Sequence, residues 1–170
     1  MPSESNARIV AGVDPGLAST GYAVLEFVEG KPKLVEGGIV KTTADEPLET
    51  RLRLIHGALT EVFGEFRPEI VVVEDLYTDY HNVKTAVLMG HARGAVLLAA
   101  SANGARVVSF APSRVKKALT GNGLATKEQM QRMIQATLGL KEIPRPDHVA
   151  DAIALALCHA GMSGRGGFGA

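Results

Sequence analysis

A single cysteine, a net charge of zero and the lack of any long apolar run each narrow what this chain can be. Cys158 has no partner for an internal disulfide, so a reducing cytoplasm fits, and it reads as a small apolar residue within a helix. No apolar run reaches the roughly 18 residues that a membrane span needs. The start, Met1-Pro2-Ser3-Glu4, lacks a basic stretch followed by an apolar one, so no signal peptide is expected. No repeat, linker or compositional break divides the 170 residues, of which 46% are hydrophobic. That is enough for one domain with a real core, residues 1–170, ordered over about 8–161 and ending in a Gly-rich tail from Ser163 to Ala170.

Zero net charge does not advertise a nucleic-acid partner, since DNA-binding domains more often have a pI above about 9. The distribution says more. Between Asn103 and Arg145 lie eight basic residues (Arg106, Arg114, Lys116, Lys117, Lys127, Arg132, Lys141 and Arg145) against the acids Glu128 and Glu142, a net +6. The chain holds 18 residues of each sign, so the remainder carries −6. A basic segment beside an acidic remainder suits a protein that holds phosphates with one surface and cations with another. Ordinary solvated helix faces would give the same charge pattern.

Arg8 to Asp14 reads as a buried strand ending in an acid, and Pro15-Gly16 as a turn. Gly21 to Phe27 and Lys33 to Lys41 read as two more strands around Gly30-Lys31-Pro32, making a meander. Pro47 opens a helix in which Leu48, Leu52, Ile55, Leu59 and Phe63 recur at spacings of three and four, ended by Arg67-Pro68. Ile70 to Val73 is a β-branched strand that terminates at Glu74. Lys84 to Ala100 is a helix with small residues at Ala86, Gly90, Gly94 and Ala95, and Arg106 to Phe110 a fifth strand. Ser113 can cap a short helix, Thr126 and Gln129 form a capping box for the next, and Asp147 caps the last, through about Ala160. A meander followed by α/β alternation predicts an α/β fold: a five-stranded mixed sheet flanked by helices on both faces.

Asp14 and Glu74 each end a hydrophobic strand, and His148 and Asp151 sit three apart on one helix face. If the two strands are parallel neighbours, both acids leave at one sheet edge, where open α/β sheets place ligands. Acids there are costly to bury without a cation or donors, and with the His/Asp pair they make a site suited to hard divalent ions. Each also has a plainer reading: Asp14 as a turn acid, Glu74 in an ion pair, Asp147 as a cap, His148 on the surface, Asp151 as a first-turn acid. The joint pattern favours the site.

The run Gly12-Val13-Asp14-Pro15-Gly16-Leu17-Ala18-Ser19-Thr20-Gly21-Tyr22 resembles the opening of RuvC-type Holliday junction resolvases. Val72 to Tyr77 resembles the family's second acidic strand, Gly90-His91-Ala92-Arg93-Gly94 its following helix, and Asp147 to Ala156 its C-terminal acidic helix. The resemblance runs from about Ile9 to His159. It implies an RNase H-like fold, a homodimer, paired nicking of a four-way DNA junction, two divalent cations per site (Mg²⁺ or Mn²⁺), and a branch-migration complex as partner. Asp14, Glu74 and Asp151 match the family's catalytic acids, with Asp14 as the bridging ligand. His148 stands where many members carry a fourth Asp, as a ligand or a water-orienting base, which should favour Mn²⁺. Tyr77 falls where many relatives carry Phe, at a site of DNA unstacking. Lys116 and Lys127 match junction-binding positions, and Asn82, Arg114 and Lys117 are further candidate DNA contacts. Other readings are a related RNase H-like nuclease acting on other branched or RNA-containing substrates, a non-catalytic junction-binding module, and an actin-like ATPase lobe, for which the chain is short.

Overall fold

The computed structural model describes residues 7–76 and 81–163. The elements follow the expected order: β1 (Arg8–Asp14), β2 (Ser19–Val28), β3 (Lys31–Lys41), α1 (Leu48–Phe66), β4 (Ile70–Glu74), α2 (Val83–Ala102), β5 (Arg106–Phe110), α3 (Pro112–Thr120), α4 (Lys127–Leu138) and α5 (Asp147–Ser163). The sheet order is β3-β2-β1-β4-β5. Tight turns make β1, β2 and β3 antiparallel, whereas the helical crossovers α1 and α2 bring β4 and β5 in parallel to β1. Tyr77 lies outside the described residues, as does most of the Gly-rich tail.

Side chains alternate across the sheet, which builds two cores. Ala11, Val13, Val71 and Val73 point to one face, where they bury Ile55, Leu59 and Phe63 of α1 and Ala92, Val96 and Ala99 of α2. Val10, Ile70 and Val72 point to the other, under Ile153, Ala156 and Leu157 of α5, with Val115 and Leu119 of α3 and Ile134 of α4 alongside. By the same alternation Asp14 follows Val10 and Gly12, and Glu74 follows Ile70 and Val72. Both strand-end acids therefore belong to the α5 face.

α5 can lie close to the sheet because two strand positions lack a side chain. A Cβ on Gly12 would collide with the Ala152 carbonyl, and one on Gly21 with the His148 carbonyl and Cβ. Glycine at these two sites admits the helix backbone itself. The contact brings the first turn of α5 over the ends of β1 and β2.

Several local expectations need correction. The β2–β3 turn is Glu29-Gly30, both at positive φ (52° and 79°), so Lys31 and Pro32 already belong to β3. That turn suits a two-residue hairpin, and an edge strand tolerates the proline. Ser113 does not cap α3. Ala111 holds the cap position and Pro112 the first helical turn, where a missing N–H is harmless. Thr126 and Gln129 form the full capping box, and the left-handed Arg67 (φ 49°) closes α1 before Pro68. By length and composition α2 is apolar enough to cross a membrane. Here, however, Ala92, Val96, Ala99 and Ala100 are buried in the protein's own core. A Cβ added at its Gly94 would meet nothing within 4 Å, so the smallness of that residue does not serve packing on the sheet.

Candidate active site

Asp14 ends β1 and Glu74 ends β4, one register step beyond the Val13–Val73 pair. His148 and Asp151 descend from the first turns of α5. His148 Nδ1 lies 2.8 Å from Asp14 Oδ2. An ionised carboxylate only accepts, so against it Nδ1 donates, which leaves Nε2 for another partner. Asp14, His148 and Asp151 each offer one ligand atom, and these atoms all lie within 4.8 Å of one another. Glu74 stands beside this trio and shares a cavity of about 210 Å³ with Asp151, Lys116 and Lys127.

All three acids have pKa values raised above the ordinary carboxylate range. Burial raises the Asp14 pKa, partly offset by its hydrogen bond to His148. Burial, then repulsion from Asp14, raises Asp151. Glu74 is pushed up to about 7 by burial and by the charges of Asp14 and Asp151, against the pull of Lys116. The protein thus gathers three carboxylates that repel one another and are only partly solvated, an arrangement that a divalent cation relieves. Oxygen donors with one imidazole fit such an ion, and Asp14, Glu74, Asp151 and His148 are the residues that would hold it.

Asp147 is turned the other way. Its carboxylate accepts from Lys127 Nζ at 2.9 Å and from Gln131 Nε2 at 3.1 Å, and Lys127 holds its pKa below the usual carboxylate range. His148, not Asp147, faces Asp14. Lys116 and Lys127 flank the acids, and Arg114 stacks over the Phe110 ring with its guanidinium carbon 5.1 Å from the centroid. Lys117 is exposed on α3. Asn82 caps α2, its Oδ1 accepting from the Lys84 and Thr85 amides, which leaves only its side-chain NH₂ for a DNA contact. Gly12 and Gly21, which enter the reading of the sequence only as members of the opening motif, carry a signal of their own: a glycine within each of two strands.

A family model, Crossover junction endodeoxyribonuclease RuvC, matches residues 10–159. The chain belongs to the RuvC family. It is 42% identical over 155 residues to crossover junction endodeoxyribonuclease RuvC of Desulforamulus reducens, covering 91% of this chain and 94% of the relative. The structure of Thermus thermophilus RuvC superposes with a TM-score of 0.84 at 45% identity, covering 91% of this chain and 95% of that one. The T. thermophilus RuvC complex with a Holliday junction substrate gives a TM-score of 0.87 at 43% identity, covering 92% and 94%. The mixed sheet and five helices are thus the RNase H-like fold of RuvC, and the activity class is crossover junction endodeoxyribonuclease. The RuvC family is one of metal-dependent nucleases, and the acidic cluster here could bind a metal.

The raised Glu74 pKa has a consequence for the metal-free protein. A carboxyl whose pKa rises on folding favours the fold most below its unfolded value, here 4.5, and loses that contribution as pH climbs through about 7. Glu74→Gln should therefore raise the melting temperature of metal-free protein at about pH 8, with the gain shrinking toward about pH 5. An equal gain at both pH values would show that Glu74 ionisation is not its source.

Proposed function

We propose that this chain resolves Holliday junctions by nicking two strands, with Asp14, Glu74, Asp151 and His148 as its catalytic and metal-binding residues. The observation that carries this reading is the convergence of Asp14, His148 and Asp151 within 4.8 Å beside a Glu74 whose pKa is raised to about 7. When bound, two divalent cations, Mg²⁺ or Mn²⁺, supply an activated water and neutralise charge on the leaving oxygen. Asp14, which contacts His148 and lies close enough to raise the pKa of both Glu74 and Asp151, would hold the cations together with those residues. His148, hydrogen-bonded to Asp14, presents Nε2 as a ligand or as a base toward water. Lys116 and Lys127 grip the scissile strand by its phosphates, which fixes position rather than sequence. Arg114 and Lys117 extend that surface along α3, and Tyr77 stacks on a base at the crossover. The activity resides in one domain, and the free, buried Cys158 suits a reducing cytoplasm.

A four-way junction has two equivalent strands to cut, which a C₂ dimer matches with two sites. The exposed stripe Val83, Val87 and Leu98 on α2 supports that helix as the dimer contact. A branch-migration complex would deliver the junction.

The test is a synthetic four-way junction against linear duplex of the same sequence. Paired nicks in the junction alone, dependent on Mn²⁺ or Mg²⁺, are expected. Equal cutting of duplex, or cutting in chelator, would overturn the reading.

Two further outcomes probe individual roles. Replacing Lys116 and Lys127 with Ala should reduce the slope of log affinity against log salt by about 0.9 for each lost phosphate contact. An unchanged slope would put both off the interface. His148→Asp should stay active and gain activity in Mg²⁺ relative to Mn²⁺, because a carboxylate suits the harder ion. An unchanged Mn²⁺/Mg²⁺ ratio would remove His148 from the metal's ligands.

A further inference from the structure

The Gly90–Gly94 run of α2 takes no part in the acidic cluster, yet its Arg93 reaches the site from behind. Arg93 Nε donates to the main-chain carbonyl of Glu74 at 3.3 Å, and one of its terminal NH₂ groups donates to Ser109 Oγ at 2.6 Å. That same group lies 3.5 Å from the Asp75 carboxylate. The side chain is only 18% exposed, although the carboxylate it faces is 50% exposed. An arginine seeking Asp75 alone could have stayed in solvent. Instead its fork is drawn in to the main-chain carbonyl of the last residue of β4, the side chain of the residue after it, and a side chain of β5. Beside it the Asp75 amide donates to the Phe110 carbonyl at 3.0 Å, which carries the β4–β5 pairing past Glu74. Pro15, the residue after Asp14, shares a crevice with Glu74, Asp75, Leu76, Met89 and Arg93.

We propose that Arg93 is a positioning residue for Glu74: it pins the backbone from which that carboxylate is presented and ties it to α2. The inference rests on Glu74 being a metal ligand. A strand end has lost its next neighbours and frays. A planar guanidinium with donors at fixed angles holds a carbonyl, a hydroxyl and a carboxylate at once, which a lysine ammonium on a flexible stem does not. The supports behind metal ligands typically carry about 10–100-fold in affinity or activity.

The experiment compares Arg93→Gln, Arg93→Lys and Glu74→Gln in the full chain. The readings are Mn²⁺ affinity by calorimetry, kcat and KM on a four-way junction, and melting temperature. Glu74→Gln should be inactive. Arg93→Gln should lower kcat by about 10–100-fold and weaken Mn²⁺ binding, with KM within about twofold and Arg93→Lys recovering only part. If Arg93→Gln does not fold, the pair Asp75→Asn and Ser109→Ala loosens the same fork from the other side and should give the same pattern more weakly. Parent-like Mn²⁺ affinity and kcat in those variants, with Glu74→Gln inactive, would overturn the positioning role alone. So would a kcat loss matched by an equally destabilised Leu59→Ala protein. An active Glu74→Gln would instead overturn the site assignment beneath it.

Discussion

Asp14→Asn should abolish junction cleavage, by about three orders of magnitude or more, while leaving metal-free junction binding unchanged. That loss corresponds to roughly 4 kcal/mol of transition-state stabilisation, within the several kcal/mol that metal ions supply. The carboxamide keeps the shape of the side chain and an oxygen that still accepts from His148 Nδ1, so the seat of α5 survives. It loses the charge through which Asp14 raises the pKa of Glu74 and Asp151. Those two groups should therefore ionise at lower pH in the variant, which removes crowding of charge as an explanation for inactivity. Lys116 and Lys127 are untouched. Single-turnover cleavage alongside a gel shift in chelator separates the two properties. Cleavage within tenfold of the parent would show that Asp14 is not a metal ligand.

The second large effect comes from a residue with no side chain. Gly21→Ala should cut cleavage by about 100-fold and destabilise the fold by about 1–3 kcal/mol, the usual range for overpacking. The added methyl meets the carbonyl, carbonyl carbon and Cβ of His148. Two of these atoms belong to the helix main chain, so no rotamer change relieves the clash and α5 must lift. Misplacement of reacting groups by about 1 Å can cost about 100-fold in rate. Gly57→Ala is the control: it lies within α1 and its Cβ would meet nothing within 4 Å. Parent-like cleavage by Gly21→Ala with a lowered melting temperature would separate the seat of α5 from catalysis.

Much of this arrangement was legible in the residues, for identifiable reasons. The β-branched run before Glu74 and the apolar run before Asp14 marked two buried strands, but only the structure makes them parallel neighbours. Strict alternation, Val10-Gly12-Asp14 and Ile70-Val72-Glu74, then sends both acids to one face. What alternation cannot say is which helix covers that face. Five helices were available, and the choice of α5 depends on Gly12 and Gly21 leaving room for its backbone. The orientation of Asp147 was equally hidden, because it depends on Lys127 arriving from a different helix at 2.9 Å. Arg93 was visible only as part of a motif. Its three acceptors come together through the β4–β5 pairing, a contact between residues far apart in sequence.

If the site is as proposed, Asp14, Glu74, His148 and Asp151 together would hold the metal needed for junction cleavage. Crystals of the parent protein soaked in Mn²⁺, measured where manganese scatters anomalously, test it most directly. Anomalous peaks should touch Asp14 and be shared among Glu74, Asp151 and His148, with none at Asp147, and should disappear from the Asp14→Asn protein. Manganese bound elsewhere, or a peak that persists without the Asp14 carboxylate, would contradict the account.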